Sequence, residues 1–320
     1  MLNLQKCAII GCGNVGATCA YTLMHSGILS EIVLLDANAK KAEGEAMDLN
    51  HALPFLPPMR TCAGTYEDLA DCGIIIIAAG AGQAKGETRI DLLKKNRAIL
   101  RTILDGIKPV NTEAILLLVS NPVDILTYIA LDLSGFDPHR VIGSGTVLDT
   151  ARLKFLVGRM LQVDSRNVHT FIIGEHGDSE LPVWSSANVS GIDLYGFCKI
   201  SGVPDYQNQL DRMFMEVRTS AYKIIENKGA TYYAIAEAVL RIVDSIVRDQ
   251  DSILPVSTLV EGHYGLSDIC LGVPSVIGAD GVKNVLDIPL SQAEYADLHT
   301  SAKALKKALG GLSEDVMAPV

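Results

Sequence analysis

The chain has 320 residues, enough for one large domain or two ordinary ones with real cores. Hydrophobic residues make up 48% and charged residues 20%, the profile of a soluble globular protein. The formal net charge of −10 repels phosphate backbones and anionic headgroups, so nucleic acid and membrane are poor partners, and an anionic substrate needs local cations.

The first half alternates short apolar runs with helical patterns. Apolar runs fall at 7–10, 32–35, 74–79, 114–119 and, more weakly, 140–142. Helical patterns fall between them at 15–29, 40–53, 90–107 and 125–133. Runs that are apolar on both faces suit a parallel sheet covered by helices on each side. The alternation predicts right-handed crossovers and a Rossmann-type doubly wound sheet over residues 1–144. Residues 7–30 lack Asp, Glu, Lys and Arg, a length that matches a membrane span. Their glycines and polar residues leave no clean apolar centre, and only Lys6 precedes them. Neither a span nor a signal peptide is expected there, nor any other targeting segment.

After about residue 145 the rhythm changes. A helix is predicted over 146–161, β-rich stretches over 168–173 and 183–194, and long helices over 207–227 and 231–247. Short strands between 251 and 286 and a helix over 291–309 complete an α+β domain, 145–320. The seven cysteines are odd in number and show no CxxC spacing. They predict neither a disulfide framework nor a zinc site, and they suit a reducing, cytoplasmic compartment.

Gly11-Cys12-Gly13-Asn14-Val15-Gly16 follows the first apolar run and opens a helical pattern. Asp36 directly follows the second run. A GxGxxG alone is weak, but strand, turn, helix, strand and acid in this order form a dinucleotide-binding pattern. The glycines permit a tight turn, close approach to a pyrophosphate, and close helix packing. Asn14 and Val15 lie at the helix N-terminus that faces the phosphates. A carboxylate at 36 accepts ribose hydroxyls and repels a 2′-phosphate, so NAD is favoured over NADP.

Three further segments carry candidate chemistry, each with a bland alternative. His176, between glycines in Gly174-Glu175-His176-Gly177-Asp178, suits a general acid–base; a turn histidine without a role fits equally. Asp149 and Arg152 share a helix face at i,i+3. They read as a solvated ion pair, or as an imidazole-orienting carboxylate beside a carboxylate-binding guanidinium. Residues 80–89, with three glycines, read as a mobile loop beyond a strand end or as an ordinary connection.

With these segments assembled, the chain resembles the L-lactate/malate dehydrogenase family, and its bacterial L-lactate members most closely. The resemblance spans nearly the whole chain. It rests on residues 11–16 with Asp36, the loop 80–89, Ser120-Asn121-Pro122-Val123-Asp124, Leu148-Asp149-Thr150-Ala151-Arg152, residues 174–179 and Lys228-Gly229-Ala230-Thr231. It implies NAD as cofactor and reversible hydride transfer between pyruvate and L-lactate. It makes His176 the proton donor and acceptor, Asp149 its partner, Arg152 the holder of the substrate carboxylate, and Arg89 the cation that polarises the carbonyl. Asn121 contacts nicotinamide ribose and substrate oxygen, and Thr231 lines the pocket.

Gln83 stands where malate enzymes of the family carry Arg, so a second substrate carboxylate finds no partner. Glu87 also suits the lactate pattern. Malate dehydrogenase and a broader 2-hydroxy acid dehydrogenase are the alternatives within the class. A non-catalytic NAD-binding protein and an NAD-dependent glycosidase lie further off. His169 matches one half of the bisphosphate-binding pair of bacterial members, but Lys154 replaces the arginine, so activation by fructose 1,6-bisphosphate is expected to be weak or absent. The resemblance also implies a homo-oligomer, a dimer or a tetramer, with the homotetramer favoured.

Overall fold

The structure is a computed structural model that describes residues 2–82 and 89–316; of residues 89–90 and 312–316 it describes the backbone alone. The chain order is β1 (Asn3–Ile10), α1 (Asn14–Ser26), β2 (Glu31–Leu35), α2 (Ala39–Ala52), β3 (Arg60–Ala63), β4 (Cys72–Ile77), α3 (Arg89–Ile107), β5 (Ile115–Leu118), α4 (Val123–Ser134) and β6 (Val141–Gly143). Then follow α5 (Val147–Leu161), β7 (Val168–His169), β8 (Ile172–Ile173), β9 (Leu181–Pro182), β10 (Asn188–Val189), β11 (Ile192–Asp193) and α6 (Leu194–Ile200). The last elements are α7 (Tyr206–Lys228), α8 (Tyr233–Val247), β12 (Ser252–Glu261), β13 (Ser267–Gly278), β14 (Gly281–Val285) and α9 (Gln292–Val316).

The first six strands pair in parallel in the order β3-β2-β1-β4-β5-β6. This is the doubly wound arrangement read from the sequence, and its order reverses between β1 and β4, where such sheets bind ligands. β4 and β5 are buried along their whole length. Ile74, Ile75, Ile76 and Ile77 are each at most 1% exposed, and burying one such side chain contributes about 1.5–3 kcal/mol.

Two expectations need correction. Two of the three strands between 251 and 286 are long, and all three join the first sheet. β12 and β13 run for 10 and 12 residues. With β14 they extend the first sheet to nine strands, through the antiparallel pairing of Ser257 with Gly143. Prolines 255 and 274 argue against long strands by sequence, yet they stand opposite one another, so the ladder loses its donors at one register position. The β-rich stretch after 168 is real but consists of two-residue strands in two small sheets. β3 and α6 went unread, because Arg60-Thr61-Cys62-Ala63 lacks an apolar run and α6 is only seven residues long.

α8 shows how the second half docks. Its buried positions Ala236, Val239, Ile242, Val243 and Ile246 recur at helical spacing and pack towards α1 and β13. No helix among the described residues is long and apolar enough to cross a membrane.

Candidate active site

The turn after β1 is built by glycine. Gly11 has φ +102°, and a Cβ there would lie 2.5 Å from the Ala79 backbone nitrogen. A Cβ on Gly16 would lie 1.9 Å from the Gly11 carbonyl oxygen, so only glycine lets α1 sit this close to the turn. Gly13 differs, since a Cβ there meets nothing within 4 Å. It is the N-cap of α1 and makes no side-chain cap, so the first N–H groups of the helix, at Asn14 and Val15, have no side-chain cap there. Asp36 is tied to the same turn. Its Oδ2 accepts the Cys12 N–H at 2.8 Å and its Oδ1 accepts the Asn38 N–H at 2.9 Å. The carboxylate is thus fixed beside the glycine turn. Uncapped donors, room at Gly13 and an oriented carboxylate fit a dinucleotide.

The second cluster forms where α5 meets the loop between β8 and β9. Thr150 Oγ1 accepts the Ile172 N–H at 2.9 Å, which pins the first turns of α5 to β8. Gly174 and Gly272 exchange backbone hydrogen bonds of 2.8 and 2.9 Å, which anchor the loop to the large sheet. His176 then stands over Asp149. Its Nδ1–H donates to Asp149 Oδ2 at 2.6 Å, and Arg152 Nη1 donates to Asp149 Oδ1 at 2.9 Å. The Asp149 side chain is 3% exposed and lies in the first turn of α5, where the helix N-terminus favours a negative charge.

Burial works against charge on His176, but the Asp149 carboxylate outweighs it and pushes the imidazole up to about 9. Burial likewise opposes the Asp149 anion, and His176 and Arg152 more than offset it, so its carboxyl sits below the usual range. Near neutrality the cluster is imidazolium, carboxylate and guanidinium. With Nδ1 committed to Asp149, Nε2 is the nitrogen left for a ligand.

Residues 5–143 match the model of the lactate/malate dehydrogenase NAD binding domain, and residues 146–315 match that of the alpha/beta C-terminal domain of the same family. The chain belongs to the lactate/malate dehydrogenase family. Among its relatives is the L-lactate dehydrogenase of Acetivibrio thermocellus, 51% identical over 95% of this chain and 96% of the relative. L-lactate dehydrogenase 1 of Clostridium acetobutylicum is 48% identical over 96% and 98%. Among solved structures, a lactate dehydrogenase from a Medee basin deep-sea metagenome library superposes with a TM-score of 0.93 at 44% identity, covering 98% of this chain and 100% of that one. The minor L-lactate dehydrogenase of Enterococcus mundtii, in its ligand-bound form, gives 0.93 at 39% identity, covering 96% and 98%.

Not every residue expected in the family's site joins these two clusters. Gln83 and Glu87 lie outside the described residues, and so does the side chain of Arg89. Thr231 is half-buried in the link between α7 and α8, and no hydrogen bond ties it to His176 among the described residues. Asn121 is exposed just after β5, and its carbonyl accepts Asn96 Nδ2 at 2.8 Å. His169 is exposed on β7 and Lys154 is half-buried on α5. No hydrogen bond or ion pair joins them among the described residues.

The structure adds residues to which sequence reasoning assigned no role. Asp124 on α4 is 2% exposed, and its Oδ2 accepts the His176 N–H at 2.7 Å. Burial pushes its carboxyl up to about 6. Ser301 on α9 accepts the Glu175 N–H at 2.8 Å and lies 3.0 Å from Ser179 Oγ. Asn96 on α3 also accepts the Ala81 N–H at 2.7 Å, tying the start of the 80–89 loop to Asn121. Asp124 sits within the quoted Asn-Pro-Val-Asp run, which was a signal; Ser301 and Asn96 had none.

Proposed function

We propose that this chain is an L-lactate dehydrogenase that interconverts pyruvate and L-lactate with NAD. The observation that carries the reading is a single buried carboxylate, Asp149, that holds both a protonated imidazole and a guanidinium. The pair supplies a proton donor and a carboxylate grip on one rigid helix end. Residues 1–144 bind the cofactor at Gly11, Gly13, Asn14, Val15, Gly16 and Asp36. Residues 145–320 bring His176, Asp149, Arg152 and Thr231, and Asn121, Gln83 and Arg89 reach in from the first half.

Bound NAD supplies the hydride donor or acceptor at its nicotinamide ring. In pyruvate reduction, Arg152 grips the substrate carboxylate through parallel N–H bonds. Arg89 and protonated His176 stabilise the charge that grows on the carbonyl oxygen, and His176 then donates its Nε2 proton to that oxygen. Asp149 holds the imidazole in the orientation that points Nε2 outward and keeps it charged until the transfer. In lactate oxidation neutral His176 accepts the proton back.

The protonation states give a pH expectation. Reduction needs imidazolium, so it persists as pH rises and falls away near the His176 pKa of about 9. Asp149→Asn removes the anion that raises that pKa. The alkaline limb of kcat/KM for pyruvate should move down by about one unit or more, while lactate oxidation starts at lower pH. Steady-state pH profiles in both directions check this, and an unmoved limb means that Asp149 does not set the imidazole charge.

A neutral Gln83 leaves the second carboxylate of oxaloacetate unpaired. We expect kcat/KM to favour pyruvate over oxaloacetate by about 10²-fold or more, for a desolvation cost of several kcal/mol. Gln83→Arg should shift the preference towards oxaloacetate. Paired assays of both substrates with NADH decide it, and a parent enzyme faster on oxaloacetate overturns the reading.

In this reading the enzyme works in the cytoplasm as a homotetramer. All seven cysteines are unpaired. Met47, Phe55 and Phe155 are exposed by 62%, 87% and 57%, apolar surface that subunit contacts would cover. Activation by fructose 1,6-bisphosphate is weak or absent, because Lys154 offers a point charge instead of a fork. Burial and the nearby Arg241 further lower its pKa.

A further inference from the structure

One ionisable side chain in this pocket has no task in the mechanism. Glu180 follows the His176 loop and immediately precedes β9. It is 6% exposed. One of its carboxyl oxygens, an Asp149 oxygen and a His176 ring nitrogen all lie within 4.8 Å of one another. Its Oε1 is buried with no hydrogen-bond partner among the described residues. Of the three cations that act on Glu180, Arg152 and His176 already pair with Asp149, and no ion pair joins Arg218 to Glu180 among the described residues.

An ionised carboxylate in such a place is buried, unpaired and next to a second anion. Each of these conditions favours the protonated form. We propose that Glu180 stands in this pocket as a neutral carboxylic acid, a positioning residue whose lack of charge keeps it from competing with the substrate carboxylate for the Arg152 N–H groups that Asp149 does not use. The role in substrate binding rests on the pyruvate/lactate reading above; the protonation state does not.

The groups that face Glu180 come from three elements. Asp149 and Arg152 lie on α5, His176 lies in the adjoining loop, and Arg218 lies on α7. Burial is the largest influence and Asp149 adds to it, while His176, Arg152 and Arg218 pull the other way; the carboxyl ends up at about 9. A negative Glu180 would draw on Arg152 and repel the incoming carboxylate, so the neutral acid keeps the pocket cationic where the substrate binds. As pH rises past that value the proton leaves and the KM for pyruvate climbs.

Infrared spectroscopy of the intact protein reads the proton directly. Near neutrality the parent should show a protonated-carboxyl stretch that disappears in Glu180→Gln and fades in the parent above about pH 9. In the same variant the alkaline pKa of kcat for pyruvate reduction should stay within about 0.3 units of the parent's, because an amide replaces an acid of equal charge, while the climb of KM above about pH 9 should be lost. An ionised Glu180 predicts the reverse: no such band, and an alkaline pKa lowered by about one unit when the anion beside His176 is removed. If the variant does not fold, the pH dependence of the parent band decides alone. A band without pyruvate turnover upholds the neutral acid and sinks the substrate reading; turnover without a band does the opposite.

Discussion

Replacing His176 by Gln should lower kcat/KM for pyruvate by about 10²–10⁴-fold, the range of general acid–base catalysis. The amide nearly matches the imidazole in reach towards Nε2, so the pocket keeps much of its shape. It carries no proton that it can give up near neutral pH. The carbonyl oxygen, left as an alkoxide when its carbon receives hydride, must then find a proton from water, and the charge growing on it loses the imidazolium. NADH binding should be unaffected, because the cofactor contacts proposed at Gly11–Gly16 and Asp36 belong to a different cluster. Single-turnover kinetics with a separate NADH titration separate the two effects. Turnover within a few-fold of the parent would remove His176 from the chemistry and with it the reading of the site.

The second large effect is expected at Arg152. Arg152→Lys keeps the positive charge but loses the planar fork that meets a carboxylate with two parallel bonds. Losing one charge-assisted bond and misplacing the other costs about 3–4 kcal/mol, or roughly 10²–10³-fold in kcat/KM. The loss should fall mainly on the KM for pyruvate, since the carboxylate is held in both ground and transition states. The variant also weakens the 2.9 Å bond to Asp149, so a modest fall in kcat should accompany it. Saturation curves against pyruvate at fixed NADH measure both. An unchanged KM would mean that another cation grips the substrate.

How much of this was legible beforehand depended on the distance along the chain between partners. The cofactor turn, β1 to Asp36, lies in one unbroken stretch of sequence. Its glycines, helix start and acid stand in fixed order, and the space around Gly11, Gly13 and Gly16 has the shape that order implies. Asp149 and Arg152 share a face because of helical periodicity alone. The resemblance to a family then attached His176 to them, a contact that no local pattern contains.

Other features had no local signal. Asp124 under the His176 backbone, Ser301 under Glu175 and Asn96 beneath Asn121 each join segments far apart in sequence. The polar residues that make these contacts look like any others on their helices. Nothing in the sequence around Glu180 marks it as buried; only the folded pocket encloses it.

The residues by themselves determined the parallel doubly wound half, its glycine turn, and which side chains have the chemistry to move a proton or hold an anion. They did so because periodicity, turn preference and side-chain chemistry are properties of short stretches. Tertiary structure alone decided that β12, β13 and β14 complete the first sheet, that the His176 loop is anchored to that sheet, and that Asp149 is buried deeply enough to raise an imidazole. Those outcomes depend on which distant surfaces meet and exclude water, because the strength of a charge interaction follows from the medium that the fold builds around it.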